Sequence, residues 1–321
     1  MAHLEDLARR SAYGLIPPFK TLSEAVEVYL QERGRSVEPN TLKGTVTSLR
    51  HLESALGSSA SLATVTPQSI RVLFGRLLKQ GMRPNTLQTY LAAISGFGEW
   101  IGVPNLRRAV RLPSMGQPDV RTWEPEEIER LREAADELDR DRRSDSPSTR
   151  LALEVALGTG ARRNELFALS WRDFDLGERT VRIHRQPVQD RKRFKPLKGK
   201  RGRTVVVLPG LWDFYEGSRA SLVLPGRAHG PFTDPQGMVD RLLVSAGLKD
   251  TRVGWHSFRH TYSRMFLEGG AGLEQLQKSL GHAKIRTTEE IYGHLREDVA
   301  ARLAVQKIYE NEPLKVMNGG L

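Results

Sequence analysis

The chain of 321 residues has no cysteine. That excludes a disulfide framework, thiol catalysis and any zinc site built on thiolates. It also lacks a long apolar run: nothing approaches the roughly 18 residues a membrane span needs, and the first residues lack the apolar centre of a signal peptide. The expectation is a soluble, cytoplasmic protein with no membrane partner. Acid is the scarcer charge, with 38 Asp and Glu against 49 Lys and Arg and a net charge of +11. Such an excess points to a polyanion, since neutralising phosphates releases counterions. A basic, solvated surface is the plain alternative.

What is present divides the chain in two. Residues 1–18 read as a flexible lead-in with Pro17-Pro18. Four helical segments follow, opening near Leu22, at Pro39, at Thr66-Pro67 and at Pro84, and closing at Gly34, Gly57, Gly81 and Gly102. Pro-Asn-Thr-Leu occurs at two of these starts, which reads as shared capping chemistry, since the intervening segments do not repeat. Arg50, Arg71, Arg76, Lys79 and Arg83 are available to a polyanion, although each alone is an ordinary surface charge. Residues 104–120 carry Pro104, Pro113, Gly116 and Pro118 among arginines, the composition of a linker.

The second half holds the chemistry. Asp136 to Thr149 is strongly charged and reads as an exposed loop. Leu151 to Leu157 is a buried run leading into Thr159-Gly160-Ala161-Arg162-Arg163-Asn164-Glu165-Leu166. A glycine turn there places Arg162 at a helix start, its rigid fork free to meet an anion, while Glu165 can fix the local backbone or the arginine itself. Thr180 to Arg185 and Thr204 to Leu208 read as strands. Between them Arg191 to Arg203 holds eight basic residues and no acid. Phe194 to Lys198 can form a middle strand and residues 199–202 a turn, giving a small antiparallel sheet.

The densest stretch is His256-Ser257-Phe258-Arg259-His260, then Leu280-Gly281-His282, then Thr287 to Tyr292. One helix would present His256, Arg259 and His260 on one face, with Phe258 and Tyr262 turned to the core. Gly281 ends a helix, and Thr287 with Glu290 reads as a capping box opening another that bears Tyr292. Arg, His and Tyr without a carboxylate partner suit an anion, and phosphate is the one arginine reads best. A zinc site on His256, His260 and His282 is disfavoured, since no Glu or Cys completes it and Arg259 would repel a dication.

These elements resemble the signature of the tyrosine recombinase (phage integrase) family: Thr-Gly-x-Arg-x-x-Glu-Leu, His-x-x-Arg-His, Leu-Gly-His, and a tyrosine ten residues beyond that last histidine. The resemblance implies catalytic residues Arg162, Lys198, His256, Arg259, His282 and the nucleophile Tyr292. Lys198 is the best match for a lysine at the hairpin tip, with Lys200 as fallback. It implies a compact, Xer- or Cre-like recombinase without an arm-binding domain. The fold would be mainly α with a small antiparallel sheet: a helical core-binding domain over 19–103, a linker over 104–120, an α+β catalytic domain over 121–312 and a tail over 313–321. The partners would be a double-stranded DNA recombination site, a homo-tetramer assembled on it and, in some systems, an accessory protein. No metal or nucleotide cofactor is called for.

The reaction so implied is DNA breakage and rejoining through a 3′-phosphotyrosyl intermediate, to integrate or excise a mobile element or to resolve replicon dimers. A type IB topoisomerase, or a catalytically silent DNA-binding protein of the same fold, are the alternatives. An amphipathic segment from Glu297 to Ile308 is expected to form a helix that docks on a neighbouring subunit.

Overall fold

The computed structural model describes residues 19–113, 120–142, 146–188, 193–197, 202–217, 220–249, 253–293 and 296. The chain divides into two units between residues 116 and 117, each with its own apolar core.

In the first unit, α1 (Leu22–Gly34) opens where Thr21 and Glu24 bond each other's backbone N–H groups, a reciprocal box that satisfies two orphan donors. α2 (Pro39–Leu56) and α4 (Pro84–Trp100) both begin on a proline, whose fixed φ suits a first turn and whose missing N–H costs nothing there. The repeated Pro-Asn-Thr-Leu therefore acts through its proline. The side-chain capping expected of it is absent, for neither preceding residue supplies a cap hydrogen bond. α3 (Pro67–Lys79) is capped by Thr66 and Ser69. The helices close over Leu49, Leu52, Ile70, Phe74 and Leu91, with the rings of Tyr29, Phe97 and Trp100 in mutual contact.

The expected linker needs a correction. Within 104–120, residues Leu106–Ala109 form the short helix α5, and Leu106, Val110 and Leu112 pack into the first unit's core. Arg71 on α3 donates to the Ala109 carbonyl at 3.0 Å, so this arginine ties α3 to the α5 end. Apolar residues spaced four apart hid this role among prolines and arginines.

The second unit is built around α7 (Thr149–Thr159), buried along nearly its whole length. Its start corrects another expectation. The charged stretch after Asp136 continues α6 (Pro125–Arg140) as helix, and Asp139 then accepts from the Ser148 hydroxyl at 2.6 Å and from the Thr149 and Arg150 backbone at 2.7 and 3.0 Å. A carboxylate so placed complements the helix dipole. After α8 (Arg163–Leu166), strands β1 (Phe174–Asp175), β2 (Thr180–Ile183) and β5 (Arg203–Val206) form an antiparallel sheet in the order β1-β2-β5. Val181 faces Val205, and Ile183 faces Arg203.

Strands β3 (Arg185–Pro187) and β4 (Phe194–Pro196) form a separate two-stranded ribbon. The expected middle strand over Phe194 to Lys198 is thus not in the sheet. Val181, Ile183 and Val205 are fully buried and pair β2 with β5 directly, whereas the ribbon carries no apolar alternation to bury.

α9 (Pro235–Ser245), α10 (Trp255–Glu268) and α11 (Leu273–Leu280) complete the unit, with a last helix over 285–293. That helix begins two residues before Thr287, so the expected capping box does not open it; Glu290 accepts from Arg286 at 2.7 Å instead. Lys198, Lys200 and the segment from Glu297 to Ile308 lie outside the described residues. Among the described residues no helix is long and apolar enough to cross a membrane.

Candidate active site

Gly160 starts the construction. It ends α7 with φ +57, a left-handed conformation that costs a side-chain-bearing residue about 1–2 kcal/mol. A Cβ there would also lie 2.4 Å from the Tyr262 ring. This turn brings Arg162 to the cap position of α8, with its side chain 43% exposed. One carboxylate oxygen of Glu165 accepts the Arg162 backbone N–H at 2.9 Å and the other its Nη1 at 3.1 Å.

Glu165 is itself buried, 4% exposed, and is gripped on its far side by Arg203 at the start of β5, at 3.0 and 2.6 Å. Burial alone would raise its pKa, but the Arg203 fork and the Arg162 N–H hold it down to about 2. Arg203 uses its remaining Nε to donate to the Ser279 carbonyl at 2.8 Å, at the end of α11. Gly281 follows with φ +66, and a Cβ there would lie 2.8 Å from the Arg203 side chain. The two glycines are therefore set by close packing against Tyr262 and Arg203 as much as by backbone conformation.

On α10, Arg259 is 1% exposed. It donates to the Gly160 carbonyl at 2.8 Å and the Leu280 carbonyl at 2.6 Å, and its Nη2 lies 3.4 Å from His282 Nε2. Arginine only donates, so Nε2 is the accepting nitrogen and Nδ1 carries the proton, donated to Thr288 at 3.0 Å. Three of the five guanidinium N–H groups are thereby used, leaving two for an anion. Burial, with Arg162 and Arg203 nearby, pushes Arg259 down to about 9. The imidazoles respond to the same field. Burial and Arg259 lower His282 to about 4; burial, His256 and Arg259 lower His260 to about 3; burial, Arg259 and Arg162 lower His256. All three are neutral near pH 7.

Tyr292, on the last helix, is 1% exposed. Its hydroxyl lies 2.7 Å from His260 Nδ1, and burial raises its pKa. The His260 ring stands edge-on to His256, centroids 4.5 Å apart. Three guanidinium groups thus surround a single carboxylate, and two of them, Arg259 and Arg162, act on the tyrosine hydroxyl. Among the described residues no group of three or more His, Cys, Asp or Glu could hold a metal ion.

The sequence of residues 121–298 matches the model of the phage integrase family. This chain belongs to the phage integrase family. Family membership is matched along the chain by relatives. It is 30% identical over 309 residues to the tyrosine recombinase XerC of Erythrobacter litoralis, covering 93% of this chain and 95% of that protein. It is 28% identical over 302 residues to the tyrosine recombinase XerD of Caulobacter vibrioides, covering 85% and 92%. Among solved structures, the Tn1549 transposon integrase in complex with a circular intermediate DNA superposes with a TM-score of 0.66 at 17% identity, over 90% of this chain and all of that one. The XerH recombinase bound to its difH substrate gives 0.63 at 18% identity, over 89% and 85%. As a phage integrase family member the chain is a tyrosine-type site-specific recombinase, mainly α with a small antiparallel sheet.

Of the sequence-assigned residues, the structure gathers Arg162, His256, Arg259, His282 and Tyr292 around the ends of α7, α10 and α11; Lys198 is outside the described residues. Two members were missed. Arg203 counted only as part of a basic run, although its place before Thr204-Val205 at a strand start was a signal that it faces inward with the apolar residues. His260 was placed on the right helix face but given no part. The expectation that the cluster has no carboxylate also fails, since Glu165 sits within it, fully engaged by arginines.

Proposed function

We propose that the chain recombines double-stranded DNA at a specific site through a 3′-phosphotyrosyl intermediate on Tyr292, with Arg162, Lys198, His256, Arg259 and His282 as its catalytic partners. The observation that carries this reading is the buried excess of guanidinium over carboxylate beside the tyrosine, with Arg259 held by carbonyl oxygens and forming no ion pair among the described residues. A buried cation without a counterion is costly, and a phosphodiester supplies the missing charge.

Arg162 and the free N–H groups of Arg259 would take the non-bridging oxygens and stabilise the charge that grows on them at the pentacoordinate stage. His256 and His282 add neutral hydrogen bonds. Lys198 gives the 5′-oxygen its proton, with Lys200 as the alternative donor. The phosphotyrosine keeps the ester-bond energy, so a second DNA end can reverse the step without a nucleotide cofactor. Recombination needs two duplexes, and the assembly that fits is a tetramer. XerC and XerD, the relatives above, are named as recombinases, and Tn1549 integrase is named with a circular intermediate. Integration, excision and dimer resolution are outcomes of one chemistry at differently placed sites.

The experiment is a plasmid carrying two directly repeated copies of the recombination site, selected from the flanks of the chain's own coding region. Loss of the intervening segment is expected, and EDTA leaves it unchanged. Relaxation of a supercoiled plasmid lacking the sites, without deletion, would favour a topoisomerase.

A further inference from the structure

In this structure the tyrosine hydroxyl meets none of the residues assigned above. His282 has both ring nitrogens engaged elsewhere, Nε2 toward Arg259 and Nδ1 toward Thr288. His256 touches the ring of His260. The nitrogen at hydrogen-bond distance from Tyr292 Oη is Nδ1 of His260, at 2.7 Å.

We propose that His260 is a catalytic residue of this reaction, its Nδ1 taking the Tyr292 proton as the phenol oxygen attacks and returning it when the strand is rejoined. The proposal rests on Tyr292 being the nucleophile. In the cleavage step the Tyr292 O–H bond breaks and its proton passes to the Nδ1 lone pair. The phenolic oxygen bonds to phosphorus, the bond from phosphorus to O5′ breaks, and O5′ leaves with the electron pair and takes a proton from the acid on its side of the phosphate, for which Lys198 is the candidate. Rejoining runs the same transfers backward.

The placement of His260 supports this role. His260 and Arg259 are adjacent on α10, so the helix that holds the phosphate-binding arginine also sets the base beside the nucleophile. Thr288, fully buried one turn before Tyr292, is held by His282, which fixes the helix carrying the phenol. Among the described residues, the charged and titratable groups around His260 are His256 and Arg259 on its own helix, His282 after α11, and Tyr292 itself. Burial first, then His256, Arg259 and His282, make His260 a weak base in the DNA-free protein, with Arg259 the one full charge among these groups. Arg259 is also a group a phosphodiester would neutralise, so arrival of the phosphate strengthens the base when it is needed.

The test uses a nicked duplex of the recombination site, from which cleavage is irreversible, and follows covalent adduct formation by the full-length chain. In His260→Asn the amide oxygen stands close to where Nδ1 stood, so a hydrogen bond is kept and basicity is lost. Expected are duplex binding within about twofold of wild type and adduct formation slowed about 10²- to 10³-fold at pH 7.5, in the usual range for general-base catalysis. The deficit should shrink to roughly tenfold by pH 9.5, as the phenol ionises unaided. It should persist on a duplex with sulfur at the 5′-bridging position, because that leaving group needs no acid and the defect lies on the nucleophile's side. Adduct formation by His260→Asn at or above the wild-type rate would overturn the proposal, as would a deficit constant with pH or abolished by the sulfur. If His260→Asn fails to fold by thermal unfolding, His260→Gln is compared in the same way. Tyr292→Phe separates the two readings. An adduct from it removes the nucleophile assignment and this inference together; an inert Tyr292→Phe beside a fully active His260→Asn removes the inference alone.

Discussion

The two units bury different things. In the helical unit the buried polar groups are Thr45, Ser48 and Ser95, and the first two hydroxyls bond carbonyls one turn back on their own helix. The catalytic unit buries Glu154, Glu165 and Arg259 as well as a larger set of hydroxyls. One core is apolar packing in which two of the three hydroxyls are satisfied within their own helix and that of Ser95 has no partner among the described residues; the other encloses charges whose partners come from elements far apart in sequence. An enclosed charge is expensive to keep unless paired, and its persistence points to a job beyond stability. The unit with the charged interior is the one that matches the family model.

The largest break in this contrast is Arg203→Ala. It leaves buried Glu165 with Arg162 alone and frees the end of α11, and removing one partner of a buried pair costs about 3–5 kcal/mol. Urea unfolding should show that loss, while Leu49→Ala in the helical unit should cost about 2–5 kcal/mol through a cavity alone and leave the Glu165 pairing intact. Next comes Gly160→Ala, expected to lose about 2–4 kcal/mol from left-handed strain and overlap with Tyr262; the same change at Gly44, where an added Cβ meets nothing within 4 Å, should stabilise or be neutral.

A third, smaller effect is acid sensitivity. His260 and His282 have folded pKa values near 3 and 4, below their unfolded value of about 6.5. Below pH 6.5 the unfolded chain binds the protons the folded one refuses, so stability falls as pH drops from there toward 4 and 3. Glu165 adds a second loss from about pH 4.5 down to 2. Thermal unfolding between pH 8 and 4 should show the decline, flattened in His260→Asn. Smallest is Thr45→Val, which removes one hydroxyl bonded within its own helix and should shift the midpoint by less than about 1 kcal/mol.

The same contrast explains what the sequence made legible. Helices of the first unit were readable because their limits are local: Pro39, Thr66-Pro67 and Pro84 start them, and Gly57 and Gly81 stop them with positive φ. Thr-Gly-x-Arg, His-x-x-Arg-His and Leu-Gly-His were readable because each motif sits at one helix end. Partnerships across sequence were not. Arg203 reaches Glu165 from 38 residues away and Ser279 from 76; its place at a strand start gave its inward face, but nothing local gave its partners. The pairing of β4 with β3 was missed for a like reason, since strand partners are fixed by which faces the sheet buries. The packing of Leu106 and Val110 onto the helical core was obscured by the prolines around them.

Whether the buried cations serve one tyrosine is read by mass mapping of the peptide that carries DNA after the wild-type chain reacts with the nicked duplex. The account predicts a nucleotide-bearing peptide that contains Tyr292, with the phosphate on its phenolic oxygen, and no such peptide from Tyr292→Phe. A nucleotide found on any other residue, or an adduct surviving in Tyr292→Phe, would contradict it.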